Sequence, residues 1–410
     1  MTALFLASLL IPSTFMLGSL SLSVYRVFLL ALFVPCTLSW LMGRAGKIRL
    51  PDVLLLAYCL WCFVCLLVHD DPGRAVASFG MQLVETMGAF LLARRLIRTA
   101  DDFLAMTRTL FKLALFLLPF SLVELISHRD VIAEFFLAAP LPEGDTRLGL
   151  QRVQSVFPHP ILYGVFGAAC FSLFYNVLGY GRSLPVKFLK ASPSVLTALF
   201  SLSSAPIAAI GIQLAILFWE RVLAFYKARW HLLVFFLILS VAVLETFSNQ
   251  GAVGFYISHL TFQPQTGFYR IAIWDYGTAS ILNNPMFGVG LGDWVRASWM
   301  TPSIDNFWLI AAIRWGIVGG MLLVLAILTA FLRIALSRQP DNRSSQYKQA
   351  YLLAVFIHIF TGWTVHFWAN SYVFFFFLLG SGFWLLETKV SSEKPDQKRS
   401  TQGAASRRGP

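Results

Sequence analysis

The sequence is poor in charged residues, which make up 13% of its 410 positions, whereas an ordinary soluble domain has about 25%. It holds few cysteines, and all five fall inside apolar runs, so no disulfide framework is indicated. Internal repeats and collagen-like periodicity are missing as well. These absences exclude the soluble, fibrous and disulfide-rich classes.

What the chain has instead is apolar surface. Hydrophobic residues make up 57% of it, with 38 Phe and 12 Trp, and the mean hydropathy is +0.70. The net charge of +12 would suit a nucleic acid, but the basic residues lie in short clusters between apolar runs. We therefore expect a membrane protein, with membrane lipid as a partner and no nucleic acid.

Three cysteines follow a C-x-x-C-x-x-C spacing that resembles a metal-cluster ligand set: Cys59, Cys62 and Cys65. They lie within an apolar run that is long enough to cross a membrane, where thiols are usually small core residues. We predict no metal site, no disulfide and no cofactor.

Apolar runs of about 20 residues each predict an all-α polytopic membrane protein with about 12 transmembrane helices. The run 186–220 is too long for one span and is divided at Ser201-Leu-Ser-Ser-Ala-Pro206, where Pro206 can begin a helix. The other predicted spans are 3–20, 24–42, 52–68, 76–97, 109–127, 159–180, 231–247, 307–332, 350–369 and 371–387.

Basic residues are concentrated in alternate connections, as the positive-inside rule requires of cytoplasmic loops. This pattern predicts a bacterial inner-membrane protein with both termini cytoplasmic and a membrane domain over 1–389. The first basic residue is Arg26, so the N-terminal run is expected to be a retained span rather than a signal peptide. Residues 390–410, which follow the predicted membrane domain, are expected to form a disordered basic tail. The basic connections lie at 44–49, 94–108, 182–190, 221–229 and 333–348.

Two connections on the opposite face are long, at about 128–158 and 248–306, and function is expected there. In the second, apolar residues from Phe268 to Leu282 recur at helical spacing, which favours a helix at the membrane surface. Arg270 would lie at headgroup depth, where its planar fork suits a phosphate group. The alternative is that Arg270 only anchors this helix to anionic lipid.

Further polar residues cluster at the start of the span after this loop. Asp305 and Asn306 stand where an acidic or amide side chain normally caps a helix. Arg314 lies about two turns further on, and a cation at that depth needs a partner or a water-filled cavity. Upstream, Gly288 and Gly290 are interpreted as a tight turn, because their spacing is not a nucleotide-binding fingerprint.

Three sets of residues resemble the O-antigen ligase and Wzy-type polysaccharide polymerase superfamily of bacterial inner-membrane glycosyltransferases. The resemblance lies in their order along the chain, their spacing and their predicted location on one side of the membrane. The sets are Arg152 with Phe157 and His159-Pro160; Tyr269-Arg270 with Trp274, Asn284-Pro285 and Gly288-Val-Gly290; and Asp305-Asn306 with Leu309 and Gly316-Ile-Val-Gly319.

The resemblance implies a C-type glycosyltransferase fold that takes a glycan from undecaprenyl diphosphate at the periplasmic face, without metal or nucleotide. It also suggests a chain-length regulator and a flippase as candidate partners. Ligases of the superfamily carry His where this chain has Asp305, and this favours a polymerase of exopolysaccharide, capsule or O-antigen repeats. The resulting site has Asp305 and Arg270 as catalytic residues, with substrate bound by Arg152, His159, Trp274, Asp275, Asn306 and Arg314.

Two alternatives remain open. One is an O-antigen ligase that transfers the glycan to lipid A-core. The other is a lipid-linked oligosaccharide flippase or an ion-coupled carrier, for which Glu85, Glu124, Glu245, His358 and His366 could relay protons. Carriers often have two repeated halves, and no such repeat is visible in the sequence.

Overall fold

The computed structural model describes residues 1–17, 20–137, 146–249, 254–255, 257–258 and 264–387. Within these ranges the chain is mostly helical, and nine helices are long and apolar enough to cross a membrane by length and composition. The observed architecture is therefore consistent with an all-α polytopic membrane protein. These candidate spans are Val24–Leu41, Leu50–His69, Pro72–Leu96, Ala100–Ser127, Pro160–Leu178, Ser204–Val222, Arg229–Phe247, Phe307–Leu336 and Ala369–Leu386.

In chain order we number the described helices α1 (Thr2–Ser8), α2 (Val24–Leu41), α3 (Leu50–His69), α4 (Pro72–Leu96, with a π turn at Val84–Gly88), α5 (Ala100–Ser127), α6 (Val131–Leu137), α7 (Pro160–Ser172, extended by a π turn at Leu173–Leu178), α8 (Leu184–Phe200), α9 (Ser204–Val222), α10 (Arg229–Phe247), α11 (Pro264–Asn283), α12 (Phe307–Leu336), α13 (Asn342–Thr361) and α14 (Ala369–Ser381, followed by a 3₁₀ turn at Phe383–Leu386). Two antiparallel hairpins pair β1 (Thr14–Leu17) with β2 (Leu20–Ser23) and β3 (Thr146–Arg147) with β4 (Leu150–Gln151).

The prediction of one continuous helix over 3–20 is wrong. Helix α1 ends at Ser8, and the chain then enters the β1–β2 hairpin. Pro12 explains the ending, because its ring excludes the helical conformation for the residue before it and it has no N–H to continue the helix. The first of the two spans predicted within 186–220 is present as the 17-residue helix α8, which is not among the nine candidate membrane spans.

Capping residues explain why two other helices, α5 and α13, begin earlier than predicted. The predicted span 109–127 begins earlier, at Ala100, because Thr99 and Asp102 form a reciprocal capping box. The predicted span 350–369 is replaced by α13, which starts at Asn342 behind the cap Asp341 and ends at Thr361. Residues 362–368 then run without helix to α14.

One end of the helical bundle gathers the basic connections, and we call it the basic end. There Asp52 accepts a hydrogen bond from the Arg94 guanidinium, and both side chains are fully buried. Arg98 pairs with Glu387 at 2.9 Å, and the backbone N–H of Lys47 donates to the same carboxylate. These contacts join the ends of α3, α4 and α14. The predicted tail, 390–410, lies outside the described residues.

The opposite end, which we call the loop end, is formed by residues 146–159, 284–306 and 362–368. The Asn370 amide at the start of α14 donates to the Leu9 and Val156 carbonyls, which ties this end together. A separate apolar cluster forms where α11 and the start of α12 pack against the segment 294–304, around Ile273, Trp294 and Ile313. The predicted helix Phe268–Leu282 is thus present as α11.

Candidate functional site

Helix α12 is broken at Gly316, where φ is 69° and ψ is 179°. In an unbroken helix the Ile317 N–H would donate to the Ile313 carbonyl. Here it donates to the Pro285 carbonyl at 2.8 Å, while the Ile313 carbonyl accepts from the Val289 N–H at 2.9 Å. The segment 285–290 therefore exchanges hydrogen bonds with the break and keeps its backbone groups paired.

Glycine is required where this segment meets α12. Gly288 and Gly290 have φ of 66° and 62°, the left-handed region that L side chains rarely adopt. A Cβ at Gly288 would collide with the carbonyl oxygens of Ile313 and Arg314. The tight turn predicted from the sequence is confirmed at these two glycines. The turn allows the backbone of the 285–290 segment to lie close to the broken helix.

Arg314 lies two residues before the break, inside a candidate membrane span. Its guanidinium makes no hydrogen bond or ion pair with any residue that the structure describes. Its positive charge acts on His366 in the segment between α13 and α14, where burial and this charge lower the pKa of His366 to about 3. The imidazole is therefore neutral at ordinary pH, and the unpaired cation beside it is suited to an anion.

A second cation lies on α11. The Arg270 guanidinium is partly buried, its Nε is enclosed without a hydrogen-bond partner, and no described residue forms an ion pair with it. Burial lowers the pKa of Arg270, and the nearby charges of Asp305 and Arg147 oppose and reinforce that effect, respectively. The structure thus brings the two long loops together, since Arg147 belongs to the first and Arg270 to the second.

Asp305 lies beside this cation in the loop that leads into α12. Its Oδ1 accepts a hydrogen bond from the Ser303 hydroxyl at 2.9 Å, and the side chain is half-buried. The Asp305 carboxylate interacts electrostatically with the Arg270 guanidinium without forming an ion pair with it, and it keeps the acceptor capacity to take a proton from a hydroxyl.

Arg152 is buried, with 5% exposure. Its guanidinium donates to the Ser203 hydroxyl at 2.8 Å and to the Ser201 carbonyl at 3.4 Å. Arg147 donates to the Leu202 carbonyl of the same turn at 3.0 Å. Both arginines therefore fasten the first loop to the turn between α8 and α9, which sets the position of Arg147 near Arg270.

His159 and Asn306 both cap helices. The His159 Nδ1 accepts from the Ile161 N–H at 3.2 Å at the start of α7. The Asn306 Oδ1 accepts from the Trp308 and Leu309 N–H groups, and its Nδ2 donates to the Trp363 carbonyl at 2.8 Å. The cap expected at 305–306 is therefore confirmed, with Asn306 as the capping residue.

The remaining predicted residues lie on the next turn of α11. Trp274 stacks on Trp363 with ring centroids 5.6 Å apart and an interplanar angle of 20°. Asp275 is exposed, and its carboxylate makes no hydrogen bond or ion pair with the described residues. The Trp274–Trp363 stack ties α11 to the 362–368 segment and so fixes the orientation of the turn that carries Arg270.

Sequence reasoning missed a polar network inside the bundle. The Gln82 amide donates to Tyr372 at 2.8 Å and to Tyr58 at 3.4 Å, and Thr86 hydrogen-bonds Tyr372 at 2.7 Å. One turn away on α4, Glu85 pairs with Arg26 at 2.7 Å. The sequence does contain a sign of this network. Gln82, Glu85 and Thr86 are spaced so that three polar side chains lie on neighbouring turns of one apolar helix.

Among the described residues, no three His, Cys, Asp or Glu side chains group closely enough to hold a metal ion. The five cysteines are buried and free. No known protein-family model matches the chain, and no curated protein sequence matches it.

Proposed function

We propose that the chain is a polysaccharide polymerase of the bacterial inner membrane, which joins undecaprenyl-diphosphate-linked repeat units at the periplasmic face. The observation that carries the proposal is the guanidinium of Arg270, which is partly buried, has no ion-pair partner among the described residues and is close enough to the carboxylate of Asp305 for their charges to interact. A desolvated cation of this kind is stabilised by an anionic ligand.

The residues fit a direct displacement. The acceptor hydroxyl would attack the anomeric carbon, the bond between that carbon and the diphosphate oxygen would break, and the hydroxyl proton would pass to Asp305. The diphosphate would leave with its electron pair, and its developing charge would be neutralised by Arg270. Arg314 supplies a further cation at the same end of the bundle, and no described residue pairs with it.

Transport is the second candidate, because carriers often bind substrate at broken membrane helices such as α12. In carriers the unwound carbonyls are free to coordinate ions. Here the carbonyls before the break are occupied, since Ile313 and Arg314 accept from the 289–290 backbone and Trp315 accepts from the Trp61 indole at 2.8 Å. Each of these carbonyls already accepts a hydrogen bond and has less capacity left to coordinate an ion, which argues against an ion-coupled carrier.

The test uses purified protein in vesicles with a repeat unit linked to lipid diphosphate, with and without lipid A-core. Polymerase activity predicts longer chains on the lipid carrier when no core is present. Transfer that requires core would instead indicate the ligase. Movement of the unaltered repeat unit across the vesicle membrane, with no new glycosidic bond, would indicate transport and overturn the proposal.

A further inference from the structure

A second candidate site lies at the basic end, far along the helices from Arg270. A cavity of about 1370 Å³ opens there between the π turn Leu173–Leu178 of α7, the end of α9, the end of α12 and the start of α13. Nothing in the reaction proposed for the loop end uses it.

The rim of this cavity carries excess positive charge. Arg182, Lys187, Arg221 and Lys348 face a single acidic residue, Glu220. Lys348 is held by the Ala335 and Ser337 carbonyls at 3.2 and 2.7 Å. Arg182 and Arg221 are exposed, and their guanidinium groups make no hydrogen bond or ion pair with the described residues.

The Glu220 carboxylate does not neutralise these arginines. It accepts a hydrogen bond from the Gln349 amide and lies 3.7 Å from Arg229. The charge left over at the rim is therefore positive, which favours an anionic ligand.

A buried amide group supplies an independent sign of a ligand. Asn176 lines the cavity and is 2% exposed, and its Nδ2 has no hydrogen-bond partner among the residues that the structure describes. A buried donor without a partner destabilises the fold, and a ligand that accepts from it would remove this cost. The π turn places this residue at the cavity wall, and π turns frequently occur at functional sites.

The rest of the lining is apolar and lies deeper along the same helices. Ile216, Phe331, Leu352 and Phe356 form this part of the wall. Arg182 and Arg221, in contrast, lie next to helix ends. A charged rim followed by an apolar wall matches a headgroup followed by an acyl chain, and basic pockets between membrane helices bind phosphate headgroups in this way.

We propose that this cavity binds an anionic phospholipid, with its phosphate between Arg182, Arg221 and the Asn176 amide and an acyl chain along Phe331 and Leu352. The Nδ2–H of Asn176 would donate to a phosphate oxygen. The site would hold a structural lipid in the leaflet at the basic end.

The experiment measures retention of phosphatidylglycerol and cardiolipin by native mass spectrometry of the purified full chain, together with the thermal stability of the protein. Phosphatidylcholine and inorganic phosphate serve as comparison ligands. The variants are R182Q/R221Q, N176L, and a control, R44Q/R108Q, which removes two exposed arginines that do not line the cavity. We expect R182Q/R221Q to weaken retention by about fivefold for each arginine removed, while the control binds as the unaltered protein does.

The N176L variant separates a lipid site from a merely structural asparagine. Without anionic lipid we expect N176L to be at least as stable as the unaltered protein, because it removes an unpaired buried donor. With anionic lipid it should lose most of the stabilisation that the lipid gives. Equal lipid retention in all variants would overturn the proposal, and so would stabilisation by inorganic phosphate as strong as that by lipid.

Discussion

The backbone N–H of Gly290 donates a hydrogen bond to the carbonyl oxygen of Arg314 over 3.0 Å. This bond joins the loop at 284–290 to the broken part of α12. It holds the backbone of Arg314, whose guanidinium has no ion-pair partner in the described part of the chain. Backbone that is not helical is tolerated at membrane depth only where its polar groups are paired inside the protein. The loop therefore makes the break in α12 possible, and the break sets the position of Arg314.

The first prediction concerns the glycine at the closest approach. Gly288→Ala should lower the free energy of unfolding by about 3 kcal/mol or more, because it adds a left-handed φ penalty and a collision with two carbonyl oxygens. Gly43→Ala is the matched control: Gly43 has a φ of 71° but no atom within 4 Å of the added Cβ. We expect it to cost about 1 kcal/mol. Thermal unfolding in detergent measures both, and equal shifts would contradict the role of the loop.

The sequence predicts most helices because apolar length is a local property, and α2, α3 and α10 appear close to their expected bounds. It does not predict the break in α12. Gly316 lies in a run that reads as one continuous span, and its conformation depends on hydrogen bonds to Pro285 and Val289, which are distant in sequence. The electrostatic effect of Asp305 and Arg147 on Arg270 depends in the same way on residues that are distant in sequence.

The second prediction concerns the buried ion pair at the basic end. Asp52 accepts from Arg94 and from the Arg49 N–H at 2.7 Å, and both members of the pair are fully buried. Asp52→Ala should destabilise the protein by about 3–5 kcal/mol, because it leaves a buried guanidinium without its counter-charge. The double variant Asp52→Ala/Arg94→Ala should lose less than the sum of the single changes. Strict additivity in thermal unfolding would show that the two side chains act independently.

The third prediction is a pH dependence that originates at His366. Its pKa is about 3 in the folded protein, because of burial and the charge of Arg314, and about 6.5 in the unfolded chain. Between these values the unfolded state binds more protons, so the free energy of unfolding falls as the pH falls. The melting temperature should therefore drop less steeply for His366→Gln than for the unaltered protein between about pH 7 and about pH 5. Equal slopes of melting temperature against pH for the two proteins would contradict the assignment of this pH dependence to His366.

The fourth prediction tests the cation on α11. Arg270→Ala should reduce polymer formation by about a hundredfold or more, since a donor to the leaving group is lost. Arg270→Lys should recover only part of the activity, because an ammonium group lacks the planar fork. Arg296→Ala is the control, since Arg296 is a loop arginine already paired with Asp293. Membrane levels of all three variants should match the unaltered protein, and normal chain lengths in Arg270→Ala would remove the assigned role.

The last prediction separates two roles for Asp305, as a base and as a counter-charge for Arg270. Asp305→Asn keeps the shape and the hydrogen bond from Ser303 but removes the proton acceptor. A general base contributes about 10²–10⁴-fold, so activity should fall by that factor at saturating substrate. Asp293→Asn, in the same loop, should retain activity. If Asp305 is only a counter-charge, Asp305→Asn should instead leave the turnover number nearly unchanged and alter the binding of the lipid diphosphate. Measuring turnover and Michaelis constant separately therefore distinguishes proton transfer from charge balance.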